Sequence, residues 1–445
     1  MKAIRQARRP GAITILLTLL LIGSSLLNTS CDDHTPGPFP SFYRADVALA
    51  WMNLQLKIVR TTPIIAANTF GRPFAYSGVA GYEAVVPGMV SYKSLGGQLN
   101  GLTGLPTANK NLGYNWPLSA NAALAAINRN LFPNTSPANL ASIDSLEAAL
   151  KASYQVGLRQ EVIDRSTDFG RQVAAAVFAW SKTDGYDNPS LYSAPTGPGL
   201  WIPTPPAFGP PVFPFWGANR LLVAGSGANA DPGPPLAYSA AAGSPFYLMA
   251  KEVYDISLTS TPEQKAIALF WNDVPNGRSF TPPGHWVSIL VQVLNKENAS
   301  LEKALAAYAR LGICLNDATI SVLKTKYTYN VVRPVSYIRN EMGQPTWNPL
   351  IPTPAHPEYS AGHAVVSAAA AEALTEIFGP NYAFTDQGYV PFGLSARSYS
   401  SFEQAGTEGG MSRLYGGIHY RASIEKGRVQ GRTVAQNINA RLAFK

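Results

Sequence analysis

Apolar residues recur every three to four positions along most of the chain, and runs that alternate apolar with polar residues are scarce. Val47, Leu54 and Ile58 mark one such face within Ala45–Arg60, and Phe169, Val173, Val177 and Trp180 mark another within Glu161–Lys182. The same spacing predicts helices over Asn121–Phe132, Asn139–Val156, Pro245–Ser257, Pro262–Val274, Trp286–Glu297, Leu301–Lys324 and Ala364–Phe378, and a last one from about His419 to Ala440. The expected class is all-α, a helical bundle.

The pattern breaks between Thr183 and Ala240, where 12 of the 36 prolines stand among glycines and the rings of Trp201, Phe208, Phe213, Phe215 and Trp216. Proline removes a helical donor and clashes with the preceding turn, so this stretch is not continuous helix. Its aromatic residues predict a long Pro/Gly-rich surface loop packed over the bundle. Charge and hydrophobicity do not shift across it, so residues 41–445 are expected to form one domain.

A different pattern opens the chain. Lys2, Arg5, Arg8 and Arg9 precede an apolar run from Ala12 to Leu27, then Thr29, Ser30 and Cys31. That order predicts an export signal over residues 1–30, with a run too short for the roughly 20 residues of a spanning helix. Cys31 then becomes a lipid-carrying N-terminus on a tether of residues 31–40, which places the protein outside the cytoplasm on a bacterial membrane. Outside that signal the chain holds 31 basic and 27 acidic side chains, too even for a nucleic-acid binder. The second cysteine, Cys314, lies in an apolar helix, so no disulfide is expected.

Three segments between residues 320 and 425 concentrate polar groups in apolar surroundings. Lys326 and Arg333-Pro334 form the first, His356-Pro357-Glu358-Tyr359-Ser360-Ala361-Gly362-His363 the second, and Ser412-Arg413 with His419 the third. The second runs directly into an Ala-rich helix, which puts Gly362 and His363 at a helix start whose free N–H groups attract anions. Gly416 and Gly417 let Arg413 and His419 meet near another. Lys326, Arg333 and Arg413 supply three cations for a tetrahedral oxyanion, His419 a neutral nitrogen for its centre, and His363 a general acid or base. No His-x-x-x-His pair or cysteine partner supports a zinc site instead.

Lys-x6-Arg-Pro, a Ser-Ala-Gly-His run and Ser-Arg-x5-His, in that order, resemble the signature of the superfamily that unites acid phosphatases, lipid phosphatases and vanadium-dependent haloperoxidases. The resemblance implies that Lys326, Arg333, Gly362 and Arg413 bind the oxygens of vanadate, that His419 ligates vanadium, and that His363 handles protons. The implied reaction uses hydrogen peroxide to oxidise a halide to hypohalous acid. His356 falls where similar chloroperoxidases have Phe and algal bromoperoxidases have His, which implies bromide or iodide.

Two positions depart from the pattern. Ala361 stands where the superfamily has Ser, leaving Ser360 as the substitute donor, and Ser423 stands where it has the Asp that orients the histidine. Glu425 or a backbone carbonyl is the expected replacement. These losses keep two alternatives open: a phosphatase acting on small phosphate esters, and a lipoprotein that keeps the fold with impaired catalysis. Thr281-Pro-Pro-Gly-His285-Trp286 reads either as lining the site entrance or as packing, and Asp317 either as a partner of an arginine or as a cap.

Overall fold

A computed structural model describes residues 37–62, 71–274 and 276–445. The expected export signal and Cys31 lie outside the described residues.

Thirteen α-helices follow in chain order: α1 (Asp46–Thr61), α2 (Arg72–Glu83), α3 (Trp116–Leu131), α4 (Pro137–Tyr154), α5 (Gln160–Ser181), α6 (Pro245–Thr259), α7 (Pro262–Phe270), α8 (Pro282–Lys296), α9 (Leu301–Tyr329), α10 (Pro334–Glu341), α11 (Gly362–Phe378), α12 (Phe402–Tyr415) and α13 (Arg421–Arg441). The only described sheet is the antiparallel pair β1 (Phe384–Asp386) and β2 (Arg397–Tyr399). The all-α expectation holds, and most boundaries fall where the apolar spacing put them.

Three helices that the spacing does not reveal are α2, α12 and the eight-residue α10. Every residue of α2 is buried, so it has no polar face to give a period. It lies against α9 with backbone nearly touching backbone: a Cβ at Gly78 would come 2.8 Å from Ala309 Cα, and one at Gly312 would come 2.7 Å from Phe74 O. α12 carries Gly406, Gly409 and Gly410, which depress helix propensity in isolation but let it pack closely on α11.

The helix α9 is the axis of the fold, 29 residues long and buried along most of its length. It packs against α2, α11 and α13, and one continuous apolar cluster runs from Ala45 to Phe444 around it. A second cluster joins α6 to the chain around the three polar segments, with Phe246, Val332, Tyr337, Tyr359 and Tyr420 in contact. Among the described residues no helix is long and apolar enough to cross a membrane.

The Pro/Gly-rich stretch is laid over α9 as an ordered loop. Trp201 and Trp216 are buried, and Leu200 pairs with Val331 immediately after α9. Asp317 holds the middle of the loop by accepting from Leu222 N, Val223 N and Ser226 Oγ at 2.8–3.1 Å. Asp317 is therefore a loop anchor and has no arginine partner among the described residues; burial, partly offset by those donors, raises its carboxyl to about 6.

Candidate active site

Each polar segment interrupts a helix where backbone groups are left over. The axis helix stops at Asn330, whose left-handed φ of 48° closes its last turn, and three residues later Arg333 leads into Pro334 at the start of α10. Between α12 and α13, Gly417 at φ 79° turns the chain so that Ile418 N bonds back to Arg413 O, and His419 is brought over the end of α12.

The helices α6 to α9 begin with a Ser or Thr side chain that caps a backbone N–H, whereas α11 begins at Gly362 after Ala361 and has no side-chain cap. Its first N–H groups remain available to an anion.

These ends meet around a cavity of about 310 Å³ lined by Lys326, His356, Gly362, His363, Arg413 and His419, together with apolar, Pro, Thr and Asn residues and Asp273. Six of the eight expected site residues therefore share one cavity. Arg333 lies just behind the wall and reaches it through His419: Nη1 donates to His419 Nε2 at 3.1 Å, and Nη2 donates to His356 Nδ1 at 2.9 Å.

Ser360 is placed differently from the expectation. It does not line the cavity; its hydroxyl donates to Gln430 Oε1 of α13 at 2.6 Å, and its carbonyl accepts from Lys326. The hydroxyl fastens the segment to α13 and does not substitute for the Ser missing at Ala361.

Lys326 also departs from a simple oxyanion donor. Its ammonium donates to the carbonyls of Pro357, Glu358 and Ser360 at 2.7–2.9 Å, which uses all three protons. It thus supplies charge and pins the segment that leads into α11. Burial and then Arg333 pull its pKa well below the ordinary lysine range, opposed by Glu358.

The carboxylate that Ser423 lacks comes from the second segment. Glu358 Oε1 accepts from His419 Nδ1 at 2.7 Å and from Tyr420 N at 3.1 Å, while Glu425 is exposed. The expected replacement at Glu425 or a carbonyl is therefore wrong, because α13 turns Glu425 outward. Glu358 is 61 residues away from His419 in sequence, so spacing gives no sign of the pairing. Burial raises its carboxyl to about 7 against the pull of Lys326 and Arg333.

These bonds fix the state of His419. Arg333 can only donate, so Nε2 is the bare nitrogen and Nδ1 carries the proton toward Glu358. Burial first, then Arg333 and Lys326, depress its pKa well below the ordinary value, so the ring is neutral. His356 is depressed by burial and the same two cations. His363 is lowered to about 4 by burial and Arg413, opposed by Asp273, whose Oδ2 lies 3.3 Å from its Nε2.

A tetrahedral oxyanion fits this donor set. Arg413 donates to Trp271 O at 2.5 Å, yet its Nε is buried with no hydrogen-bond partner. Arg333 and Arg413, both lowered to about 10 by burial, and Lys326 outnumber the two carboxyls that face them, Glu358 and Asp273. An anion would satisfy both the orphaned N–H and the excess charge.

His285 and Trp286 lie elsewhere than at the entrance. Both are fully buried, with Trp286 Nε1 donating to Ser367 Oγ and His285 held between Asp273 and Asp386.

A family model of the second helical-bundle domain of vanadium chloroperoxidase matches residues 306–444. No curated protein matches the chain. A crystal structure of a bacterial vanadium-dependent iodoperoxidase is similar over 92% of this chain and 98% of that one, at 35% identity and a TM-score of 0.82. Holo and apo structures of a bacterial vanadium-dependent chloroperoxidase share the fold at 15% identity, with TM-scores of 0.60 and 0.61, over 91% of this chain and 93% and 96% of theirs. With this extent of likeness to the iodoperoxidase, the chain belongs to the vanadium-dependent haloperoxidases, enzymes that take vanadate as cofactor and oxidise halide.

Proposed function

We propose that the chain oxidises iodide, with bromide as a slower substrate, at the expense of hydrogen peroxide, and releases hypohalous acid. The single observation that carries the site assignment is the neutral His419, held by Glu358 with its bare Nε2 at the cation-lined cavity. His419 would ligate vanadium there, and Arg413, Arg333, the charge of Lys326 and the N–H of Gly362 would hold the oxygens. Bound vanadate supplies Lewis-acid activation of peroxide.

The residues of the chain do the rest. Arg413 and the uncapped start of α11 neutralise the anion, and Glu358 keeps His419 in one tautomer. His363, with its Nε2 turned to Asp273, has Nδ1 left to take and return the protons of peroxide. A cavity of about 310 Å³ admits peroxide and halide.

Iodide is favoured by the iodoperoxidase activity of the 35% identical relative and by His356 at the cavity wall. The phosphatase reading loses ground with that likeness. The impaired reading loses its argument from Ser423, since Glu358 takes the orienting role.

The test is to load the purified protein with orthovanadate and measure halogenation of a phenolic dye with hydrogen peroxide and iodide, bromide or chloride. Vanadate-dependent turnover fastest on iodide is expected; hydrolysis of p-nitrophenyl phosphate that vanadate inhibits, without halogenation, would overturn it. We also infer export and a lipid anchor at Cys31, supported by the basic and apolar pattern of residues 1–30. Replacing Cys31 with Ser should move the protein from the membrane fraction to the soluble one.

A further inference from the structure

Behind His363 lies a second group of buried titratable residues that the oxyanion site does not use. Asp273 sits between α7 and α8 with a left-handed φ of 50°, a conformation that costs a non-glycine residue about 1 kcal/mol or more. That backbone turns one carboxylate two ways. Oδ2 faces His363, while Oδ1 accepts from Tyr389 Oη at 2.5 Å and from His285 Nδ1 at 2.9 Å. The other ring nitrogen of His285, Nε2, bonds Asp386 Oδ2 at 2.8 Å, and Asp386 Oδ1 in turn accepts from Gln292 Nε2 and Gly388 N.

Both nitrogens of His285 face carboxylate oxygens, and each carboxylate also accepts from other donors, an arrangement that favours a doubly protonated ring between two ionised aspartates. The rings of Trp271 and Tyr389 lie 4.4 and 4.8 Å from the imidazole centroid, an enclosure that favours a cation. Other charged or titratable groups facing this assembly are His363 and Arg413 on the cavity side and Arg60 beyond Tyr389. Burial opposes the charge on His285, but the two carboxylates win and push it to about 10.

We propose that His285, clamped as a buried cation between Asp273 and Asp386, is a positioning residue that orients Asp273 behind His363 and offsets its charge, and so sets how readily His363 exchanges protons. The proposal rests on His363 being the acid–base residue of the reaction. The cation of His285 neutralises much of the pull of Asp273 on a proton at His363. Without it the carboxylate would act unopposed and His363 would hold its proton more tightly.

The experiment is a titration of the ¹⁵N-labelled histidine rings by NMR in the vanadate-free protein, for wild type, Asp386→Asn and His285→Gln, beside the pH profile of kcat/KM for the vanadate-loaded enzymes. In wild type, His285 should stay protonated past pH 8. In either folded variant, His363 should titrate about one unit or more higher, and the acid limb of the profile should move with it. A role in packing alone would lower Tm and leave the His363 titration where it was; that result overturns the proposal. If neither variant folds, wild-type His285 decides: a neutral ring at pH 8 overturns it, and an imidazolium supports it. The NMR readout needs no turnover, so an enzyme inactive on every halide would sink the proposed function without changing this result.

Discussion

Two buried histidines in this protein have the same side chain and different charge states. His419 has one carboxylate and three cations around it and is neutral; His285 has a carboxylate on each ring nitrogen and is an imidazolium. Burial depresses both by disfavouring charge, so the sign is set by the neighbours. The first arrangement leaves surplus positive charge for an anion and an unprotonated ring nitrogen that Arg333 alone now bonds. The second, two carboxylates around one imidazolium, is net negative and has no ring lone pair left for a ligand.

The comparison breaks most directly at His419. Replacing it with Ala should lower vanadate-dependent halogenation by about a thousandfold or more, on the order of 4 kcal/mol, measured as kcat/KM at saturating orthovanadate. Activity within about tenfold of wild type would mean that another group holds the oxyanion. Glu358→Gln comes next. The amide oxygen still accepts from Nδ1, but the charge is gone, so vanadate affinity should fall about tenfold, read by titrating the apo-protein; an unchanged affinity would reduce Glu358 to packing.

The pH dependence of stability sharpens the contrast from the other side. His285 has a folded pKa raised to about 10, so its contribution is complete below its unfolded value near 6.5 and is lost as pH rises through 10. The Tm gap between wild type and His285→Gln should therefore narrow toward pH 10, by several degrees, to roughly the residual packing cost. A constant gap would show that His285 is neutral. His356, His363 and His419 have lowered folded values, so their contribution is present above about 6.5 and is lost on acidification.

The smallest effect is expected at His356. His356→Phe removes the acceptor of Arg333 Nη2 at the cavity wall and should change the iodide-to-bromide rate ratio by a few-fold, on the order of 1 kcal/mol. An unchanged ratio in parallel assays would remove His356 from halide choice.

Much of the anion half of the comparison was legible in the sequence, because its cations and histidines stand in three short segments at helix ends, where spacing is informative. Lys326, His356, Gly362, His363, Arg413 and His419 could be named that way. The carboxylates could not. Glu358, Asp273 and Asp386 sit on turns and a strand end, and reach their histidines across 61, 12 and 101 residues. Tertiary packing alone makes those pairs. Two of the three helices missed, α2 and α12, fail for a related reason: α2 has no exposed side and α12 spends its helix propensity on glycines that admit close neighbours.

The wall of the small cavity has one more consequence, which concerns how long the catalyst lasts. Hypohalous acid attacks thiols, thioethers and electron-rich rings, and sulfur oxidation reshapes a packed interior. Among the described residues that line the cavity there is no Cys, Met, Trp or Tyr; its apolar part is built from Pro, Val, Leu and Ile. Cys314 is completely buried in α9. The apolar wall therefore offers hypohalous acid no sulfur and no phenol or indole ring, which leaves Lys326 and the three histidines as the reactive side chains of the cavity.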